Sequence, residues 1–217
     1  MNIEDIIIRT IAYVKETLHA EGSGHDWWHI YRVWSMAKTI AREEQANMLV
    51  VELAALLHDI ADWKAYDGDA SVGPRVAGEW LHSIAVEPAV IAEVQDIIPK
   101  ISFKGVADDK TILSPEAKIV QDADRLDAIG AVGIARVFTY GGSKGRVIYD
   151  PTIPPVKHES VESYLKNENP SVNHFYEKLL LLKDLMNTET GRRIAAHRHA
   201  FMESYLNEFY KEWDGVQ

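Results

Sequence analysis

The chain has 217 residues, 47% of them apolar, with a formal charge of −10 from 33 acidic and 23 basic side chains, and no cysteine. That is enough chain for one large domain with a sizeable core. The absent cysteines exclude disulfides, thiolate ligands and cysteine nucleophiles, and the acidic balance argues against a nucleic-acid polymer as partner, whose binding surfaces are normally basic. No apolar run approaches the roughly 20 residues of a membrane span. The first apolar segment begins beside Met1 and lacks a small-residue cleavage site, so it reads as structure and not as a signal peptide. The expected protein is soluble and cytoplasmic, with no membrane partner.

Helical periodicity then dominates. Ile3, Ile7, Thr10, Ile11, Val14 and Leu18 recur at three- and four-residue spacing and predict an amphipathic first helix. GSGHD breaks it, and Asp26 is placed to cap a second helix over about 27–44. The run MLVVELAALL predicts a third helix, about 48–61, apolar nearly all round and therefore central, which ends in His58-Asp59. Helices near 74–84 and 88–98 follow, with Pro88 in a first turn and Pro99 as a stop. Residues 99–113 read as irregular, and Ser114-Pro115 as cap and first position of a helix through Asp124. The Gly/Pro-rich stretch 140–157 predicts a long mobile cover, and two helices, about 170–186 and 188–213, close the chain. Their apolar stripes (Phe175, Leu179, Leu182, Leu185; Ile194, Phe201, Tyr205, Phe209) need a surface to cover them. No alternating strand pattern or internal repeat is present. The expected fold is all-α, a single domain over 1–217 with its core at about 26–140 and the C-terminal helices of 158–213 packed on it.

Four polar residues interrupt these apolar helices: His29 in HIYRVWSMA, the pair His58-Asp59 in LAALLHDIAD, and Asp124 in AKIVQDADRLDAIG. An unpartnered imidazole or carboxylate in a helix interior costs a few kcal/mol. Two of each can satisfy one another by converging on a divalent cation, and imidazole with carboxylate suits Mn, Fe, Co, Ni or Zn and not calcium. One such group alone has an ordinary structural explanation; four together favour a metal centre. Trp27, Trp28 and Trp34 flank His29 and offer either a core wall or a base-stacking surface, the core being the usual use of aromatics at helical spacing.

The motifs HIYRV, LLHDIAD and DADRLDAIG resemble the HD superfamily of metal-dependent phosphohydrolases, in which the ordered set H…HD…D on a helical scaffold holds a divalent ion. The resemblance runs from about Asp26 to Tyr140, and the whole length is similar to stand-alone bacterial HD proteins. Carried over, it assigns His29, His58, Asp59 and Asp124 as ligands, and one divalent ion as cofactor: manganese first, with Fe, Co, Ni, Mg or Zn as substitutes. His25 is set aside because the family histidine precedes an Arg-Val step, here Arg32-Val33. Dinuclear members add histidines between the HD pair and the last Asp; this interval offers only His82, which implies a mononuclear site.

A bound divalent ion makes a nucleophile of water near neutral pH, and a base and phosphate-binding cations complete a hydrolase. Asp62 lies at i+3 from Asp59, and in similar nucleotide-acting enzymes an acidic residue at this offset assists the attacking water; its alternative is a helix cap. Lys64 and Lys104 are the preferred substrate-binding cations, ahead of Lys100 and Arg125, while Asp127 and Arg136 suit a structural ion pair. The resemblance implies a small anionic substrate, a nucleotide, with cleavage of (d)NTP to (d)NMP and pyrophosphate. The alternatives are a 5'-nucleotidase acting on monophosphates, an oxygenase, and a non-catalytic nucleotide sensor. A homodimer is an allowed assembly.

Overall fold

The computed structural model describes residues 2–19, 26–61, 66, 68–101, 113–156 and 168–216. Among them the regular structure is entirely helical, as the periodicity predicts. The residues cluster into two compact units, one within Met1–Phe103 and Lys110–Asp124, the other within Arg125–Gln217.

In the first unit, α1 (Ile3–Thr17) starts at Asn2, whose side chain accepts from the Asp5 backbone N–H. Its buried face is Ile6, Ile7, Thr10 and Val14, rotated from the expected stripe, so that Ile3 stays exposed. Thr10 survives burial because its hydroxyl donates to the Ile6 carbonyl at 2.8 Å and accepts from Trp80 Nε1 at 3.1 Å. Helix α2 (Trp27–Glu44) ends at Gln45 in the left-handed region, φ 56°. Helix α3 (Met48–Leu57) is the centre of the unit, with Val50, Val51, Leu53, Ala54, Ala55, Leu56 and Leu57 fully buried. Each leucine there contributes about 1.5–3 kcal/mol of burial. Its one charged residue, Glu52, accepts from Trp34 Nε1 on α2 at 2.8 Å, which answers the polar exception in an apolar helix.

Helix α3 stops at Leu57, four residues short of the expected end. His58 is its C-cap, and residues 58–61 form turns. Helices α4 (Val72–Ser83) and α5 (Pro88–Ile97) pack together where Gly78 faces Gln95; a Cβ at Gly78 would lie 2.1 Å from Gln95 Nε2. Pro99 ends α5 by tightening it into a 3-10 turn, Ile98–Lys100. Helix α6 (Pro115–Asp127) begins as expected, with the Ser114 hydroxyl accepting from the Ala117 N–H at 3.1 Å. It is tied to the rest of the unit by Gln121, which donates to the Lys100 carbonyl at 2.7 Å, and by Glu116, which accepts from the Asn47 N–H at 3.1 Å.

The second unit holds the last turn of α6, then α7 (Gly130–Ser143), α8 (Asn173–Glu177), a 3-10 stretch Leu179–Leu185, and α9 (Glu189–Trp213) capped by Thr188. The turn into α7 needs Gly130, at φ 79°, because a side chain there would be strained and would meet Arg198. Two expectations are corrected. The stretch 140–157 begins as the end of α7, and its described remainder is pinned: Ser171 and Val172 N–H groups donate to the Val147 and Ile148 carbonyls, and Asn173 Nδ2 donates to the Ile153 carbonyl. The single helix expected over 170–186 is broken at Lys178, φ −144° and ψ −58°. In α9 the buried positions include Ala195, Met202 and Leu206, while Phe201 is exposed. No described helix is long and apolar enough to cross a membrane.

Candidate metal centre

The centre is assembled from two helix ends and a third helix within the first unit. Asp26 caps α2 as expected, its carboxylate accepting from the His29 backbone N–H at 3.0 Å. That bond fixes the first turn of α2 and with it the direction of the His29 ring, whose side chain is 1% exposed. At the far end of α3 the His58 Nδ1–H donates to the Ala55 carbonyl at 2.9 Å. A carbonyl only accepts, so this bond places the proton on Nδ1 in the neutral ring and turns the Nε2 lone pair toward His29. The same bond satisfies a carbonyl left over where α3 stops.

The two Nε2 atoms stand 3.3 Å apart. Asp59 Oδ2 lies 3.3 Å from each of them. Asp124 Oδ1, from α6, lies 3.5 Å from His29 Nε2 and 3.9 Å from His58 Nε2. The carboxylates sit at the solvent side, Asp59 12% and Asp124 26% exposed, over imidazoles that are buried. The donor atoms of His29, His58 and Asp59 all fall within 4.8 Å of one another. Donors about 2.1 Å from a shared divalent ion are about 3.0 Å apart in an octahedron and about 3.4 Å in a tetrahedron. The spacing fits such an ion, with Asp124 slightly wide.

The electrostatics say the same. Burial opposes a charge on His58, but the Asp59 and Asp124 carboxylates more than offset it, and the imidazole is pushed up to about 9. A site that concentrates lone pairs in this way holds either a proton or a cation. One proton can bridge only a pair of these atoms, whereas a divalent ion satisfies them all.

Of the other sequence-predicted residues, Asp62, Lys64 and Lys104 lie outside the described residues, as does His25. Lys100 is engaged by Asp96 at 2.6 Å. Arg125 donates to the Leu185 carbonyl, and Asp127 pairs with Arg136, the structural role expected of that pair. His82 is exposed on α4. The Ala55 carbonyl is the functional partner that sequence reasoning missed. Nothing in the letters marks it, because any residue three before the histidine would serve.

The HD domain family model matches residues 27–129, a span that contains all four residues of the cluster. An HD-superfamily hydrolase from Bacillus thuringiensis has a crystal structure that covers 98% of this chain and 99% of its own, at 44% identity and a TM-score of 0.79. The chain belongs to the HD superfamily. Membership makes it a metal-dependent hydrolase, and the all-α fold agrees. A further relative is the uncharacterized protein YpgQ of Bacillus subtilis, 40% identical over 210 residues, 96% of this chain and 93% of that protein. A crystal structure of YpgQ in complex with ADP superposes with a TM-score of 0.78 at 36% identity, covering 98% of this chain and 97% of that one.

Proposed function

We propose that this HD hydrolase is a nucleotide pyrophosphohydrolase that converts a (d)NTP to the (d)NMP and pyrophosphate, with His29, His58, Asp59 and Asp124 holding one divalent ion, manganese foremost. The observation that carries the metal assignment is the meeting of two imidazole Nε2 atoms and two carboxylates at spacings of 3.3–3.9 Å. When bound, the ion supplies Lewis acidity to a water and to a phosphoryl oxygen. Support for a nucleotide comes from the related YpgQ, which was crystallised with ADP.

The chain's own residues supply the rest. Asp62, three residues after Asp59, takes the proton of the attacking water, whose oxygen bonds to the α-phosphorus as the α–β bridge breaks. Lys64 and Lys104 bind the β- and γ-phosphates and offset the charge that develops on the leaving pyrophosphate. The His58–Ala55 hydrogen bond keeps one ligand oriented throughout. Hydrolysis of dATP in oxygen-18 water tests the scissile bond. Label in dAMP with unlabelled pyrophosphate is expected, whereas inert dATP together with release of deoxyadenosine and labelled orthophosphate from dAMP makes the enzyme a 5'-nucleotidase.

A further inference from the structure

Helix α2 carries three tryptophans, and the structure treats them differently. Trp27 has the Lys15 ammonium over its ring at 4.7 Å. Trp34 has Lys38 at 3.5 Å and donates its indole N–H to Glu52. Trp28 is 61% exposed, and its described ring contact is edge-on, with Tyr31 at 6.0 Å and 80°. Tyr31 is itself 43% exposed. Among the described residues, Trp28 has neither a hydrogen bond nor a cation at its ring. The core role usual for aromatics at helical spacing therefore holds for neither Trp28 nor Tyr31.

Position makes this more than a stray apolar side chain. Trp28 immediately precedes His29, so their Cα atoms are about 3.8 Å apart and their side chains leave the helix about 100° apart. The Asp26 cap that fixes His29 fixes the turn bearing Trp28 as well. A T-shaped neighbour steadies the indole and leaves at least one of its faces uncovered by that contact. Trp28 thus lies one residue along the chain from a member of the cluster, and an exposed aromatic ring there suits a flat, π-bearing group.

We infer that Trp28, steadied by Tyr31, is the stacking surface for the base of the nucleotide whose phosphates bind at the His29–His58–Asp59–Asp124 cluster. This rests on the nucleotide reading above and adds its base-recognition residue. Stacking accepts any base, because every base has a π-face. The enzyme so built separates nucleotides from base-free phosphates strongly and one base from another weakly.

The test is isothermal titration of the manganese-loaded protein with ADP and with inorganic triphosphate, for the wild type, Trp28→Ala and Trp28→Phe. Trp28→Ala should weaken ADP by about 5- to 150-fold, the range of one lost base–aromatic stack. Inorganic triphosphate affinity and manganese content should not change, and Trp28→Phe should recover most of the ADP affinity. Unchanged ADP affinity in Trp28→Ala, equal losses for ADP and triphosphate, or no ADP binding by the wild type overturns the inference. A change in oligomeric state with ADP affinity intact overturns it too, and makes this face a contact between copies. The two readings fail separately. ADP affinity that depends on Trp28 in a protein that hydrolyses no triphosphate keeps the stacking surface and removes the hydrolytic reading. Triphosphate hydrolysis with ADP affinity indifferent to Trp28 does the reverse.

Discussion

His58 Nδ1 is bonded to the Ala55 carbonyl while its Nε2 stands 3.3 Å from His29 Nε2. One bond thus ends α3 and aims an imidazole of the candidate centre, so the fold of the central helix and the geometry of that cluster are not separable. Asp59 follows in the same turn and closes on both rings at 3.3 Å. The consequences can be measured.

The first is a dependence on pH. In the metal-free protein the folded-state pKa of His58 is raised to about 9 from an ordinary value near 6.5. A raised imidazole stabilises the fold fully below pH 6.5, and that contribution is lost as pH rises through about 9. Metal binding requires the same nitrogen free of its proton, so its affinity rises over that interval and uptake releases protons. Thermal melts of chelator-treated protein should fall by roughly 5 °C or more between pH 6.5 and 9. Manganese affinity should increase across the same range. A metal-free melting temperature that climbs with pH would contradict the assignment of the proton to this cluster.

A second prediction concerns the cap. Asp26→Ala removes the acceptor for the His29 N–H and should cost about 0.5–2 kcal/mol of stability. Because the first turn of α2 carries His29, manganese affinity should weaken by about 10-fold, in the range of lost outer support for a ligand. Asp26→Asn, which still accepts at the cap, should restore both. If Asp26→Ala melts earlier and yet binds metal normally, the cap matters to the helix alone.

The third separates base from ligand. Asp62→Asn should lower turnover by about 10²- to 10⁴-fold with metal content intact. Normal turnover would make Asp62 a helix cap, and lost metal would make it a ligand. Lys104→Ala should raise KM for the triphosphate and leave manganese affinity as it was.

How much of this could be read from the sequence follows from how local each signal is. Asp26, Ser114 and Thr188 as caps and the apolar run of α3 are local, and the helices they bound lie close to where periodicity puts them. The four residues of the centre were legible as polar exceptions because the helices around them are so apolar, and the structure brings their donor atoms together. The break at Lys178 was not legible. Glu177 accepts from Val156 N–H at 3.1 Å and from Asn169 Nδ2 at 2.7 Å, and Asn173 donates to the Ile153 carbonyl, so side chains of α8 serve a distant segment. Local periodicity carries no trace of such bonds. Helix α7 was hidden for another reason: GIARVFTYGG is rich in glycine, which weakens a helical reading that tertiary packing overrides.

The central claim is that His29, His58, Asp59 and Asp124 together hold one divalent ion. Elemental analysis of the purified protein beside His58→Ala and Asp59→Ala tests it most directly, with circular dichroism to confirm that each variant is folded. The account predicts about one ion per chain in the wild type, mainly manganese, and less than a tenth of that in either folded variant. Full occupancy in both variants would contradict the assignment of the site, and two ions per wild-type chain would contradict the single-ion chemistry built on it.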